Sequence, residues 1–341
     1  MTALATYSPT QHAVADFDAR LQMGEGEPLG DGIKRVTLDQ LEFGAAGFFE
    51  GEDQFGRAIH DARKSIKRVR ALLRLVRFEL PQDIYRYEDN AMRNTARLVS
   101  EVRSSSGVVE SAELISGIYG EFLAEGTFGE TLHRLSQRRD ITQLRALEDP
   151  NMVGRVVRNL ERAYHRYSSW PTDPDAREVY GVGIRDNFTA IGPGLHDTYG
   201  RGRREMVAAF TRSSSHGFHQ WRKRAKYFRH QMEFLVPLWP EVIVGTAVTL
   251  NQLGEVLGED QDLRELNELV TSRPDLCPNP KERSLLSALI AQRRSELQLA
   301  SEILGRRVYA EKPSWLEHRF GEYWASRQMA LGRPSDTLVT H

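Results

Sequence analysis

The chain has 341 residues and a formal net charge of −1, with 40% hydrophobic and 27% charged residues. That is the balance of a globular protein long enough to bury one large core or two ordinary ones. No apolar run approaches the ~20 residues that cross a bilayer, and the N-terminus (MTALATYSPTQHAVADFD) lacks the basic start and apolar stretch of a secretory signal, so a cytoplasmic setting without membrane contact is expected.

In chain order, residues 1–24 read as a loose arm. From there Leu, Ala, Arg and Glu dominate, apolar residues recur at spacings of three and four, and alternating strands are absent, so the fold class is all-α. The first helix is predicted to follow Asp31, a good N-cap. Breaks are predicted at Pro81, at Ser104–Gly107, at Pro150, through SSWPTDPDAR (Ser168–Arg177), at Pro237–Pro240 and through RPDLCPNP (Arg273–Pro280). The Ser168–Arg177 stretch divides the main domain, 25–320, into halves of about 25–167 and 177–320, and 321–341 reads as a tail. The only cysteine, Cys277, cannot form an internal disulfide and is read as incidental.

Two segments carry the functional signal. The first, AIHDARKSIKRVRALLRLVR, runs from Ala58 to Arg77. On a helix, Lys67 and Arg74 lie near the direction of His60, and Arg63, Lys64, Arg68 and Arg70 lie within about 80° of it. Ala62, Ile66, Val69, Leu73 and Val76 fall on the opposite face. Like charges at i,i+4 repel by roughly 0.2–0.5 kcal/mol a pair, so a face selected for stability alone would carry interspersed glutamates, and this one does not. The second segment, FHQWRKRAKYFRHQMEFL from Phe218, matches the first at an offset of 159. His60 aligns with His219, Arg63 with Arg222, Lys64 with Lys223, Lys67 with Lys226 and Arg70 with Arg229. Ile66, Val69, Leu73 and Val76 align with Ala225, Phe228, Met232 and Leu235. Such spacing is too long for a solenoid unit and points to two related halves. A weaker pair follows, LVSEVRS from Leu98 and VLGEDQD from Val256.

The doubled pattern H-x-x-R-K-x-x-K-R-x-R resembles the CHAD family, the conserved-histidine α-helical domain. GLHDTYGRGRREM (Gly194–Met206), with Tyr199, Arg201, Arg203 and Arg204, is similar to the helix that precedes the family's second histidine helix, and LGEDQDL (Leu257–Leu263) is similar to its L-G-x-x-x-D turn. The chain departs from the family where R-D is common and Arg103-Ser104 stands instead; Tyr227 also aligns with Arg68, and Glu233 with Arg74. The resemblance implies a compact bundle of two pseudo-symmetric helical halves around a basic central groove or pore. It also implies inorganic polyphosphate as the ligand and, in bacteria, association with polyphosphate granules.

Phosphate chemistry suits these residues. Arginine offers a planar fork to phosphate oxygens and lysine a compact charge with rotatable donors, and one helix turn, ~5.4 Å, spaces them in a row. The expected contacts are His60, Arg63, Lys64, Lys67, Arg70 and Arg74 from the first segment. From the second come His219, Arg222, Lys223, Lys226 and Arg229, with Tyr199, Arg201 and Arg203 as supporting donors. Each histidine fits two readings, a protonated donor to a polyanion or a structural residue held by a neighbouring helix. Nucleic acid is the alternative partner or competitor, although base reading calls for amides or aromatic platforms that these rows lack, with Trp221 and Phe228 on the apolar side. His216, His219 and His230 have no carboxylate or cysteine at ligand spacing, so no metal or cofactor is expected. GVGIRDNF (Gly181–Phe188) reads as a loop, and P-loop, H-E-x-x-H and G-x-S-x-G motifs are missing. Binding without catalysis is therefore expected, with a phosphate-handling enzyme as the weaker alternative.

Overall fold

The computed structural model describes residues 18–51, 54–172, 183–212 and 215–333. Among these residues the chain forms eleven α-helices and no strand. They are α1 (Leu29–Ala46), α2 (Phe55–Leu75), α3 (Gln82–Leu98), α4 (Ser100–Tyr119), α5 (Gly129–Leu147) and α6 (Pro150–Ser168), then α7 (Gly192–Arg212), α8 (Ser215–Leu235), α9 (Pro240–Ser272), α10 (Pro280–Val308) and α11 (Pro313–Ala330). Proline opens α6, α9, α10 and α11, where its missing N–H would have no partner and its fixed φ suits the first turn. Asp149 and Asn279 cap α6 and α10 by accepting from the backbone N–H groups of Asn151 and Met152, and of Lys281 and Glu282.

Several boundaries differ from the sequence expectation. Helix α1 starts at Leu29, so Asp31 is a first-turn acid that complements the helix dipole rather than an N-cap. The predicted break at Ser104–Gly107 is continuous helix, because Ser105 and Ser106 donate their hydroxyls to the Val102 carbonyl at 2.7 and 3.5 Å and so need no turn to satisfy them. The break comes earlier, at Val99, between α3 and α4. The expected arm is anchored at its end: Leu21 and Met23 are buried, and the Met23 N–H donates to the Phe234 carbonyl at 3.0 Å. Residues 321–330 belong to α11, which buries Leu316, Phe320 and Trp324, and are not tail. Part of the Ser168–Arg177 divide and Gly181 lie outside the described residues.

The helix pairings recur. Helix α1 packs on α2 and α6, and α7 packs on α8 and α11; α4 packs on α5, and α9 on α10. The two sets meet where α2 contacts α8 and α4 contacts α9. The α2–α8 crossing is isologous in the sense of a two-fold interface, where residue i faces j and j faces i. Lys64 feels the charge of Arg229, and Arg70 sits by Lys223. Arg68 is close to Glu233, and Arg74 stacks on Tyr227 at 4.1 Å. These pairs exchange under the 159-residue offset. The apolar faces behind them are fully buried, Ile66 and Val69 on α2 with Val76 at its C-cap, and Ala225, Phe228 and Leu235 on α8. Gly194 lets α7 rest against the end of α2, since a Cβ there would meet the Leu75 carbonyl oxygen at 1.9 Å. A separate core under α4, α5, α9 and α10 holds Ile115, Leu135, Leu266 and Cys277, so the cysteine is a buried packing residue.

Candidate functional site: a cationic cleft between the paired helices

Where α2 and α8 diverge from their crossing, they open a cleft of about 750 Å³. His60, Arg63, Lys64 and Lys67 come from α2, and His219, Arg222, Lys226, Arg229 and His230 from α8. Helices α4, α5 and α9 close it with Arg103, Ser104, Ser105 and Arg138 and with Asn251, Glu255, Gln261, Asp262 and Glu265. Eight lysines and arginines thus face three carboxylates, and no Phe, Tyr or Trp lines the space.

Burial makes these cations costly. Lys67 is pushed down to about 7 by loss of water and by the charges of Arg63, Arg222 and Arg103. Lys226 is driven well below the ordinary lysine range by burial, then by Arg222 and Lys67. His219 falls to about 4, by burial and then by Lys223 and Arg222, and His60 is lowered by burial as well. Both histidines are therefore neutral at pH 7. The Nδ1 of His219 and the Nε atoms of Arg222 and Arg229 are buried without a protein partner. Groups with shifted pKa values and unspent donors in a cleft make it the candidate binding site, because native proteins mostly satisfy buried polar atoms. A well-paired corner lies at its rim. Glu233 accepts from Arg229 at 2.9 Å and from His230 Nδ1 at 2.7 Å, and although burial opposes ionisation, these partners hold it down at about 2.

The expected contacts divide. His60, Arg63, Lys64, Lys67, His219, Arg222, Lys226 and Arg229 converge on the cleft. Lys223 is exposed and outside it. Arg70 and Arg74 are tied to Asp89 of α3, each at 2.9 Å, beyond the crossing. Arg201 pairs with Asp197 at 2.9 Å, and Arg203 borders an apolar groove on α7. Tyr199 is no supporting donor to the cleft. It is fully buried and its hydroxyl donates to the Glu311 carbonyl at 3.0 Å. Sequence reasoning did not place Arg103, Arg138, Glu255 or Glu265 at the site, because they arrive from α4, α5 and α9 rather than from the two histidine helices. The departure from the family at Arg103-Ser104 and the LGEDQDL turn, which holds Asp262, are the sequence signals at this wall. Ser104 Oγ donates to Glu265 at 2.8 Å, and Arg103 is left with a 3.5 Å contact to Glu110.

The two histidine rows, their isologous crossing and the all-helical frame agree with a comparison of the sequence with known families, in which the CHAD domain matches residues 35–271. The chain belongs to the CHAD family. No curated protein matches it. The CHAD match spans α2, α8 and α9, which supply most of the cleft. Among the described residues no three His, Cys, Asp or Glu side chains cluster to hold a metal ion, and no helix is long and apolar enough to cross a membrane.

Proposed function

We propose that this CHAD protein binds inorganic polyphosphate in the cleft between α2 and α8, without hydrolysing it, and that this affinity recruits it to polyphosphate granules. The observation that carries the reading is the eight-to-three excess of cations over carboxylates in a cleft with no aromatic surface. Polyphosphate offers repeated negative charge and acceptor oxygens but nothing to stack on. Single-stranded nucleic acid gains ~1–3 kcal/mol per base from aromatic stacking, and the aromatic residues of α8 are elsewhere, Trp221 and Phe228 in the core and Tyr227 under Arg74. The neutral histidines and unspent guanidinium donors suit a ligand that brings its own charge, since a bound polyanion raises the pKa of every group around it.

Calorimetric titration with long-chain polyphosphate, with single-stranded DNA and triphosphate at matched charge as comparators, tests the reading. Long-chain polyphosphate is expected to bind far more tightly than either comparator, with affinity falling on a log–log salt slope of about −0.7 per phosphate neutralised, by analogy with single strands. The Lys67→Glu, Lys226→Glu pair should abolish binding with helix content unchanged. Phosphate release should stay at the buffer rate. Equal binding of DNA would move the protein to the general polyanion class, and steady phosphate release would make it an enzyme.

A further inference from the structure

A second basic pocket shares no residue with the cleft. It lies beyond the crossing, bounded by the C-terminal half of α2 and by α3, α7 and α8, and its volume is about 290 Å³. Six arginines line it, Arg74, Arg77, Arg86, Arg93, Arg201 and Arg224, against two carboxylates, Asp89 and Asp197.

Four of these arginines are held by carboxylates, yet they are not neutralised. Asp89 takes Arg70, Arg74 and Arg93, each at 2.9 Å, and Asp197 takes Arg77 and Arg201, also at 2.9 Å. One carboxylate can satisfy the geometry of several guanidinium groups, but it cancels the charge of only one. Aromatic faces fix two of them further, Arg74 over Tyr227 at 4.1 Å and Arg77 over Tyr85 at 5.2 Å. Arg224 enters from α8 with its Nε buried and without a protein partner. Its guanidinium is disfavoured first by burial and then by Arg201 and Arg74.

The pseudo-symmetry supplies an internal control. The position related to Arg74 is Glu233, and the position related to Tyr227 is Arg68. On that side the carboxylate of Glu233 closes the gap by pairing with Arg229 and His230, and Arg68 donates to Gln40 at 3.0 Å. On the α3 side the carboxylate comes from Asp89 instead, but three arginines share it, and a surplus of four charges remains among the lining residues. Evenly mixed charge would have been enough to fold either side.

We propose that this pocket is a second, compact anion site that takes a small condensed phosphate of the pyrophosphate class, independently of the cleft. A terminal phosphate group carries about −1.5 to −2 near neutral pH, so two linked groups match the surplus of four. Arginine forks held in place by aspartates and aromatic rings lose little freedom on binding, which favours planar, bidentate recognition of such a ligand. The pocket has less than half the volume of the cleft and suits a short anion better than a passing polymer. The assignment does not depend on what the cleft binds.

Calorimetry with inorganic pyrophosphate on the full chain is the test, run on three proteins. Wild type should bind with one-site stoichiometry. Arg224→Gln should weaken that binding at least tenfold, without lowering the melting temperature and without altering the affinity for long-chain polyphosphate. The Lys67→Met, Lys226→Met protein should lose polyphosphate and keep pyrophosphate. The proposal is overturned if wild type shows no binding at millimolar pyrophosphate, if Arg224→Gln binds as wild type does, or if the cleft variant loses both ligands together.

Discussion

At the scale of single residues, Lys67 carries the clearest consequence. Its amine releases a proton near pH 7 in the folded protein and near 10.5 when unfolded. Between those values the unfolded chain binds more protons, so stability rises with pH across that window; below about 7 the full penalty of the buried charge is present. A tenfold change in proton affinity corresponds to about 1.4 kcal/mol, so Lys67→Met should stabilise the ligand-free protein by a few kcal/mol at pH 7 and flatten its stability between pH 7 and 10. Urea denaturation at several pH values checks this, and a variant no more stable than wild type would show that water reaches Lys67 freely. A bound polyanion favours the charged amine again, so binding at pH 8 should take up protons, visible as a dependence of the calorimetric heat on buffer ionisation. The contrast with Tyr199 shows what sequence can carry at this scale. A lysine on a polar helix face announces itself by spacing, whereas a tyrosine hydroxyl has one bond to give, and only the fold reveals that Glu311 receives it.

At the scale of elements, the rows of α2 and α8 were legible because the 3.6-residue period separates their cationic and apolar faces, and the 159-residue repeat shows both twice. The point where the helices cross was not legible. A wheel gives direction around a helix but not distance along it, so Arg70 and Arg74 looked equivalent to Arg63 and Lys67, although Asp89 of α3 draws them to the other side. Helix α4 was cut at its serines for a related reason, since serine marks both turns and helices that bond their own carbonyls. The α4–α9 contact at Ser104 and Glu265 then governs the wall of the cleft. In the weaker of the two internal matches Ser104 aligns with Asp262, so the first half lacks the carboxylate that the second half keeps. Ser104→Asp should set a negative charge beside Glu265 and draw Arg103 away from ligand. By the Coulomb scale of a partly screened pair, polyphosphate affinity should fall roughly threefold to tenfold at low salt, and less at high salt. Titration of this variant at two salt concentrations checks it, and undiminished affinity would mean Arg103 takes no part.

At the scale of the whole molecule, two sets of helices are joined along a seam where cations face cations. Without ligand, salt screens this repulsion, so the melting temperature should rise with ionic strength. With polyphosphate bound, salt strips the ligand away, and a complex held at ~100 times its Kd loses up to about 2.7 kcal/mol of stabilisation as binding fails. The two melting curves should therefore move in opposite directions with salt in scanning calorimetry; parallel curves would argue against a shared electrostatic origin. The isologous crossing has a further consequence for the kind of polymer that can lie along it. A linear polyphosphate reads the same from either end, so the proposed ligand would have no wrong way round in this cleft: laid along it in either direction, it would make one and the same complex.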